Sequence, residues 1–508
     1  MTQAMSPNRK RQGGYLLLWW AALLLASALT AWAINPPAGT QFSSDTTQKS
    51  LEAAKAALLG YAAAFPDTHQ AGAILRNAYV PGHLPCPNLE NANPGQESLN
   101  CLAQGLSSLG RLPWTSLGLQ PLVDGDGECL WYAVSGNYKN NPKANLLNAD
   151  TPGQFQIQTQ GPNGWTTLAD DVVAVLMAPG AAKSGQSRPF SANNRCNSAL
   201  VASNYLDTYP GGSNAVLSTS PEGITTLVQA PMKLSADNDQ QPNDRLIWIT
   251  RKELFDAVNR RSELKTGSAF FDASFSTPPT NKTPALTQRI ASCLRDFALA
   301  NTYKRLPWAA PIKLTSAAPN TFKNDAFNDK KNLLAGRIPM MLWDSKQAIG
   351  LPMLGTFATC NSSTNADCRL FRTNNCTDFL PIAGFPTALD GTSNKDSPDG
   401  WLDKWKDHLF YAVAADFQPA ATGSGNCGTA SNCLQVNGRP YAAIVLYAGA
   451  STNNQKRLQT AEKLVVENYL EGVNATSITT AGRVFANAGN DQMVCLRPDL
   501  SISHGCLD

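Results

Sequence analysis

LWYAVS, residues 130–135, and LFYAVA, residues 409–414, decide how this chain is read. Both runs are rich in aromatic and branched apolar residues, the composition of a half-buried strand. Each stands at the same place in a longer series. Ahead of them come GHLPC (82–86) and KRLPW (304–308), then GRLP (110–113) and GRIP (336–339). Behind them come VVAVLMAPGA (172–181) and YAAIVLYAGA (441–450), GQSR (185–188) and NQKR (454–457), and NYLDT (204–208) and NYLEG (468–472). The series close on NDRLIWI (243–249) and NDQMVCL (490–496). Both open on helix-period segments, KSLEAAKAALLGYAAAF (49–65) and LTQRIASCLRDFALA (286–300). In the first of these Leu51, Ala54, Leu58, Leu59 and Ala62 share one face. Eight short strings recurring in one order predict an internal duplication into two units.

The duplication sets the expected fold class. One helix followed by short strands and long loops argues for an α+β layer in each unit rather than alternating βαβ units. NDRLIWIT (243–250) reads as a strand running into a helix, RKELFDAVNRR. The expected division is a basic leader over 1–14, an apolar helix over 15–34 and a polar linker over 35–47. A first unit over 48–265, a linker over 266–284 and a second unit over 285–508 follow.

The N-terminus supports three readings. Arg9, Lys10 and Arg11 precede Tyr15 to Ile34, a stretch without a charge that at about 1.5 Å per residue is long enough to cross roughly 30 Å of hydrocarbon. The basic side stays cytoplasmic by the positive-inside rule, which places the rest of the chain outside. A plain anchor accounts for this. So does a secretory signal peptide cleaved after Ala33, at Ala31-Trp32-Ala33. Neither uses the two glycines in KRQGGYLLLWW, residues 10–20.

The third reading does. A basic leader ending in Gly13-Gly14, then Tyr15 and an apolar helix, resembles the processing site of type IV pilins and type II secretion pseudopilins. The resemblance implies cleavage between Gly14 and Tyr15 by a prepilin peptidase, methylation of the new N-terminus, and a retained transmembrane helix. The fifth mature residue is Trp19, where major pilins carry a glutamate, which implies a minor subunit. The ordered strings that follow also resemble a group of bacterial prepilin-type proteins. That likeness implies an N-terminal transmembrane helix followed by two related pilin-like α+β units, loop-rich and disulfide-bonded. It implies a single-pass protein of the bacterial inner membrane, its C-terminal part in the periplasm or at a filament tip. Implied partners are other pilin or pseudopilin subunits, inner-membrane assembly proteins and the peptidase. The alternative is a soluble, disulfide-bonded adhesin or carbohydrate binder released after Ala33.

Composition narrows the function further. A formal net charge of +3 with 16% charged residues offers no concentrated basic face for a nucleic acid. Twelve cysteines without a CxxC point to disulfides in an oxidising compartment rather than to zinc. Short-loop pairings are expected for Cys86 with Cys101, Cys427 with Cys433 and Cys495 with Cys506.

Catalytic motifs do not emerge. The four histidines, His69, His83, His408 and His504, form no HExxH, and no GxSxG, P-loop or dinucleotide fingerprint occurs. Asp170-Asp171, and Asp403 near Asp407, are carboxylate pairs of the kind common on solvated surfaces. The expectation is a non-catalytic protein without a cofactor. One candidate cation loop stands out in ALDGTSNKDSPDGW (388–401). Asp390, Asn394, Asp396 and Asp399 there have the oxygen density of a calcium loop, or cap their own backbone as a polar turn.

Overall fold

The computed structural model describes residues 39–68, 82–90, 92–161, 163–188, 196, 201–209, 211–230, 242–259, 286–314, 322–349, 370, 404–422, 425–427, 432–452, 454–487 and 489–507. It combines helices with largely antiparallel sheets, two of which carry one parallel pair each, and with disulfides. Gly14, Tyr15 and the apolar stretch 15–34 lie outside the described residues, as do Asp390, Asn394, Asp396 and Asp399.

The first helix, α1, is Gly39–Thr68. Among the described residues no helix is long and apolar enough to cross a membrane, which corrects the expected fold of a transmembrane helix leading into two units. In α1 the charged and amide side chains of Asp45, Gln48, Lys49, Glu52 and Lys55 interrupt the apolar residues over 45–55. The helix also starts ten residues ahead of the expected position 49 and takes in most of the stretch read as a linker over 35–47. Those polar residues are docking groups. Ser44 Oγ accepts from Arg245 at 2.5 Å, Thr47 Oγ1 accepts from the Gly125 amide at 2.9 Å, and Ser50 Oγ donates to the Val123 carbonyl at 2.6 Å. Pro36 and Pro37 precede the helix, where proline does not oppose it.

A six-stranded sheet receives α1. Its strands are β1 (Ser108–Arg111), β2 (Trp131–Val134), β3 (Phe155–Gly161), β4 (Gly164–Ala178), β7 (Thr225–Gln229) and β8 (Arg245–Thr250). The order is β1-β2-β4-β3-β7, with β8 also on β4. At 15 residues β4 has length for both sets of neighbours, its first half pairing with β3 and its second with β2 and β8. The halves meet at a bulge around Asp171, whose φ is 53°. A two-stranded ribbon, β5 (Thr208–Tyr209) with β6 (Gly212–Ser213), lies beside the sheet in sequence, and helix α2 (Arg251–Asn259) follows β8 directly.

The second sheet comprises β9 (Ala335–Arg337), β10 (Leu409–Val413), β13 (Ala443–Tyr447), β15 (Gln492–Leu496) and β16 (Ile502–His504), in the order β16-β15-β13-β10-β9. Helix α3 (Leu286–Leu299) packs on β13, β15 and β16 as α1 packs on β4 and β8. A small sheet of β11 (Leu434–Val436), β12 (Arg439–Tyr441) and β14 (Val484–Phe485) and two further helices, α4 (Asp344–Ala348) and α5 (Gly472–Thr480), complete the described elements of this half.

Four strands of the two sheets coincide in order and register. Gly110, Tyr132, Leu176 and Ile247 stand opposite one another across β1, β2, β4 and β8. Gly336, Tyr411, Val445 and Val494 do so across β9, β10, β13 and β15. The glycine is required in each case because another chain segment crosses the edge strand. A Cβ on Gly110 would meet the Asn88 carbonyl at 2.7 Å, and one on Gly336 the Ala310 carbonyl at 2.1 Å. Tyr132 Oη donates to the Pro85 carbonyl at 3.1 Å, and Tyr411 Oη to the Pro307 carbonyl at 3.0 Å.

The cores follow the same plan. Leu51, Ala54, Leu58 and Ala62 of α1 pack with Tyr132, Val134, Leu176 and Ile249. Ile290, Leu294 and Phe297 of α3 pack with Tyr411, Val413, Val445 and Val494. Each large side chain so buried contributes roughly 1.5–3 kcal/mol of transfer free energy. The opposite face of the first sheet buries Trp131, Val175 and Met177 under Tyr205, Leu206 and Leu227. Disulfides join Cys86 to Cys101, Cys427 to Cys433 and Cys495 to Cys506, and a fourth spans 67 residues from Cys129 to Cys196.

Candidate functional site at the seam between the sheets

The two sheets meet through a buried polar cluster drawn from both halves. The first half contributes Asn148 and Asp150 from the loop before β3. The second contributes Asp407 and His408 from the turn entering β10, with Arg457, Lys463 and Tyr469 from the segment after β13. The turn at 406–408 brings two adjacent polar side chains under the sheet because β10, all five of whose residues are buried, pulls its N-terminal end inward.

Asp150 Oδ2 lies 3.1 Å from His408 Nε2 and 3.4 Å from Arg457 Nη1. Asp407 accepts hydrogen bonds from Asn148 Nδ2 at 3.0 Å, Tyr469 Oη at 2.9 Å and Lys463 Nζ at 3.4 Å. Lys463 also donates to the Asp150 carbonyl at 3.2 Å. His408 Nδ1 lies 3.2 Å from the Ala448 carbonyl, so each ring nitrogen has an oxygen within about 3.2 Å. Its ring stacks on Tyr447 with centroids 5.7 Å apart.

Burial alone would raise both carboxyls. For Asp150 the hydrogen bond and charge of His408, with Lys463 and Arg457, overcome it and hold the group well below the usual carboxylate range. For Asp407 the charges of Lys463, His408 and Arg337 and the Tyr469 hydroxyl have the same effect. These ion pairs satisfy one another, an arrangement whose main consequence is that removing one member strands the rest.

Beside this cluster the seam opens into a cavity of about 440 Å³, within the range of ligand sites. The first half lines it with Asn137, Asp170, Glu222 and Ile224, the second with Phe322, Leu458 and Gln459, and Lys463 reaches it from the polar cluster. The bulge at Asp171 turns that side chain to Arg251 at 2.5 Å and to the Gly153 amide at 2.7 Å, leaving Asp170 exposed at the cavity.

Other histidine, acidic and tryptophan residues are placed elsewhere. His83 is buried, and burial together with Lys404 and Lys143 keeps its ring neutral. His504 is on β16, and His69 and Asp403 lie outside the described residues. The Asp170-Asp171 pair is split between the cavity and Arg251, while Asp407 is a seam residue. In DGDGE (124–128), Asp124 caps the turn by accepting from the amides of Asp126, Glu128 and Gly180. Among the described residues no group of three or more histidine, cysteine or acidic side chains is placed to hold a metal. Trp308 is buried and Trp114, Trp343 and Trp405 are half-buried against the cores, while Trp401 lies outside the described residues. Asp150, Asn148 and Lys463 carry no sequence signal, whereas Arg457 stands in the repeated NQKR string.

Neither a protein-family model nor a curated protein nor a solved structure matches the chain.

Proposed function

We propose that the chain is a non-catalytic structural subunit of an exported assembly of the type IV pilus or type II secretion kind. It is made as a precursor cut after Gly14. It acts on the periplasmic side of the bacterial inner membrane or at a filament tip, with other pilin or pseudopilin subunits and inner-membrane assembly proteins as partners. The observation that carries the reading is the helix-on-antiparallel-sheet layer in each half, α1 on β4 and β8 and α3 on β13 and β15, which is the head architecture that the Gly-Gly-Tyr leader implies. The disulfides suit an oxidising compartment. The seam charges are spent on one another, as in a structural joint.

Intact-mass analysis of the protein purified from the cells that make it tests the reading. The expected mature chain begins at Tyr15 with an added methyl group. A chain beginning at Ile34, or an uncut chain, contradicts it.

A further inference from the structure

The seam cavity has an unbalanced charge. Of its charged lining groups, Asp171 is matched by Arg251, and Lys463 is committed to Asp407 and the Asp150 carbonyl. Asp170 and Glu222 remain. Glu222 is exposed and held in place by the Thr460 hydroxyl of the second half, and Asp170 is exposed without a partner among the described residues. The side-chain amides of Asn137 and Gln459 also line the cavity and make no hydrogen bond among the described residues. Between these polar groups the wall is apolar, formed by Leu146, Ile224, Phe322 and Leu458. Ile224 is 66% and Leu458 38% exposed, so both present free apolar surface at the rim.

We infer that this cavity binds an organic cation, an amine or guanidine carried on an apolar body. Two uncompensated carboxylates repel an anion and give the site a negative potential that draws in a cation. A protonated amine supplies the donors that a carboxylate and a side-chain amide oxygen accept, in charge-assisted bonds stronger than those a neutral hydroxyl makes. The apolar wall covers the ligand's carbon frame, as in most small-molecule sites. Because Glu222, Asp170 and Ile224 come from one half and Leu458, Gln459 and Phe322 from the other, an occupant tightens the joint between them. This goes beyond the structural role proposed above and does not depend on where the precursor is cut.

Calorimetric titration of the full-length protein with hexylamine tests it, using hexanoate and methyl glucoside as matched probes. Hexylamine should bind, more weakly as salt rises from about 50 to 300 mM, because the attracting carboxylates are solvent-facing. Hexanoate, with the same body and the opposite charge, should not. Asp170→Asn with Glu222→Gln should weaken hexylamine on the order of 10-fold. Both positions are exposed, so the thermal midpoint without ligand should hold. Leu458→Arg, which places a cation at the rim from the second half, should weaken it as well. Equal binding of hexanoate, binding of the glucoside without the amine, or hexylamine affinity unchanged in both variants would overturn the inference.

Discussion

Arg111 and Arg337 hold one position in the two halves and are satisfied differently. Each ends its edge strand, and each guanidinium lies over an aromatic ring of the next strand, Trp131 at 4.2 Å and Phe410 at 5.2 Å. Each also lies over the tyrosine of the NYL string, Tyr205 at 4.3 Å and Tyr469 at 5.5 Å. Arg111 donates to the Cys129 carbonyl, and burial, partly offset by Tyr205 and Glu128, lowers it to about 10. Arg337 donates to the carbonyls of Asp407, Ile312 and Lys463, with the Asp407 charge close by. One place along, the first half has the disulfide-bonded Cys129 where the second has His408 facing Asp150. Residues common to both halves hold the frame, and the divergent His408 and Asp407, with the shared Arg457 and Tyr469, join the halves to each other.

The rest of the comparison has the same character. Arg188 donates to the carbonyls of Gly180, Asn204 and Tyr205 and to Gln186. Arg457 donates to those of Gly449, Asn468 and Tyr469 and to Gln455, and only Arg457 adds Asp150 of the other half. The Asn214–Asp244 hydrogen bond in the first half recurs as Asn474–Asp491 in the second.

The largest difference is expected at the seam. Asp407→Ala strands Lys463 and Arg337 in a buried site and should cost about 3–5 kcal/mol in chemical denaturation. Glu128→Ala, at the matching position but partly exposed and only 3.6 Å from Arg188, should cost under about 1 kcal/mol. Equal costs would break the comparison. Next is the bridge between Cys129 and Cys196, where the second half has His408 at the position of Cys129. Replacing Cys129 and Cys196 by alanine should cost about 2–4 kcal/mol, seen as a lower denaturation midpoint.

Tyr132→Phe and Tyr411→Phe each remove one bond to a proline carbonyl and should cost about 1 kcal/mol apiece, alike within error. The pH effects run in opposite directions. Asp150 is held low, so its contribution is full above about pH 4 and is lost as pH falls through its folded value. Asp150→Asn should flatten the acid limb of a stability–pH curve. Asp491 is raised to about 7, by burial first and then the neighbouring Glu471 charge, against hydrogen bonds that lower it. Its contribution is full below about pH 4 and is lost as pH rises to about 7, so Asp491→Asn should lessen the decline between about pH 4 and neutrality. Asp244 is raised the same way by burial and Asp207, so the decline should disappear only when both are replaced.

Much of the frame was legible in the sequence because strand and turn residues that meet the same neighbours keep the same letters. Gly110 and Gly336, Tyr132 and Tyr411, and the two ND strings share their contacts as well as their spelling. The long arm of β4 with β3 and β7 was missed, although FQIQTQG alternates with period two. The start of α1 was missed because Ser44 and Thr47 read as linker until the groups they bind are known. Asp150 was invisible, since one acidic residue in a loop has no period and its partners lie some 250 to 310 residues away. The cavity has no local signature either, being a gap between halves.

Hydrogen exchange, read peptide by peptide on the intact protein, tests the repeated frame most directly. The slowest exchange should fall in two matched places, β2 with the second half of β4 (131–134 and 172–178) and β10 with β13 (409–413 and 443–447). Protection confined to one half, or centred on unmatched strands in the two, would contradict the account.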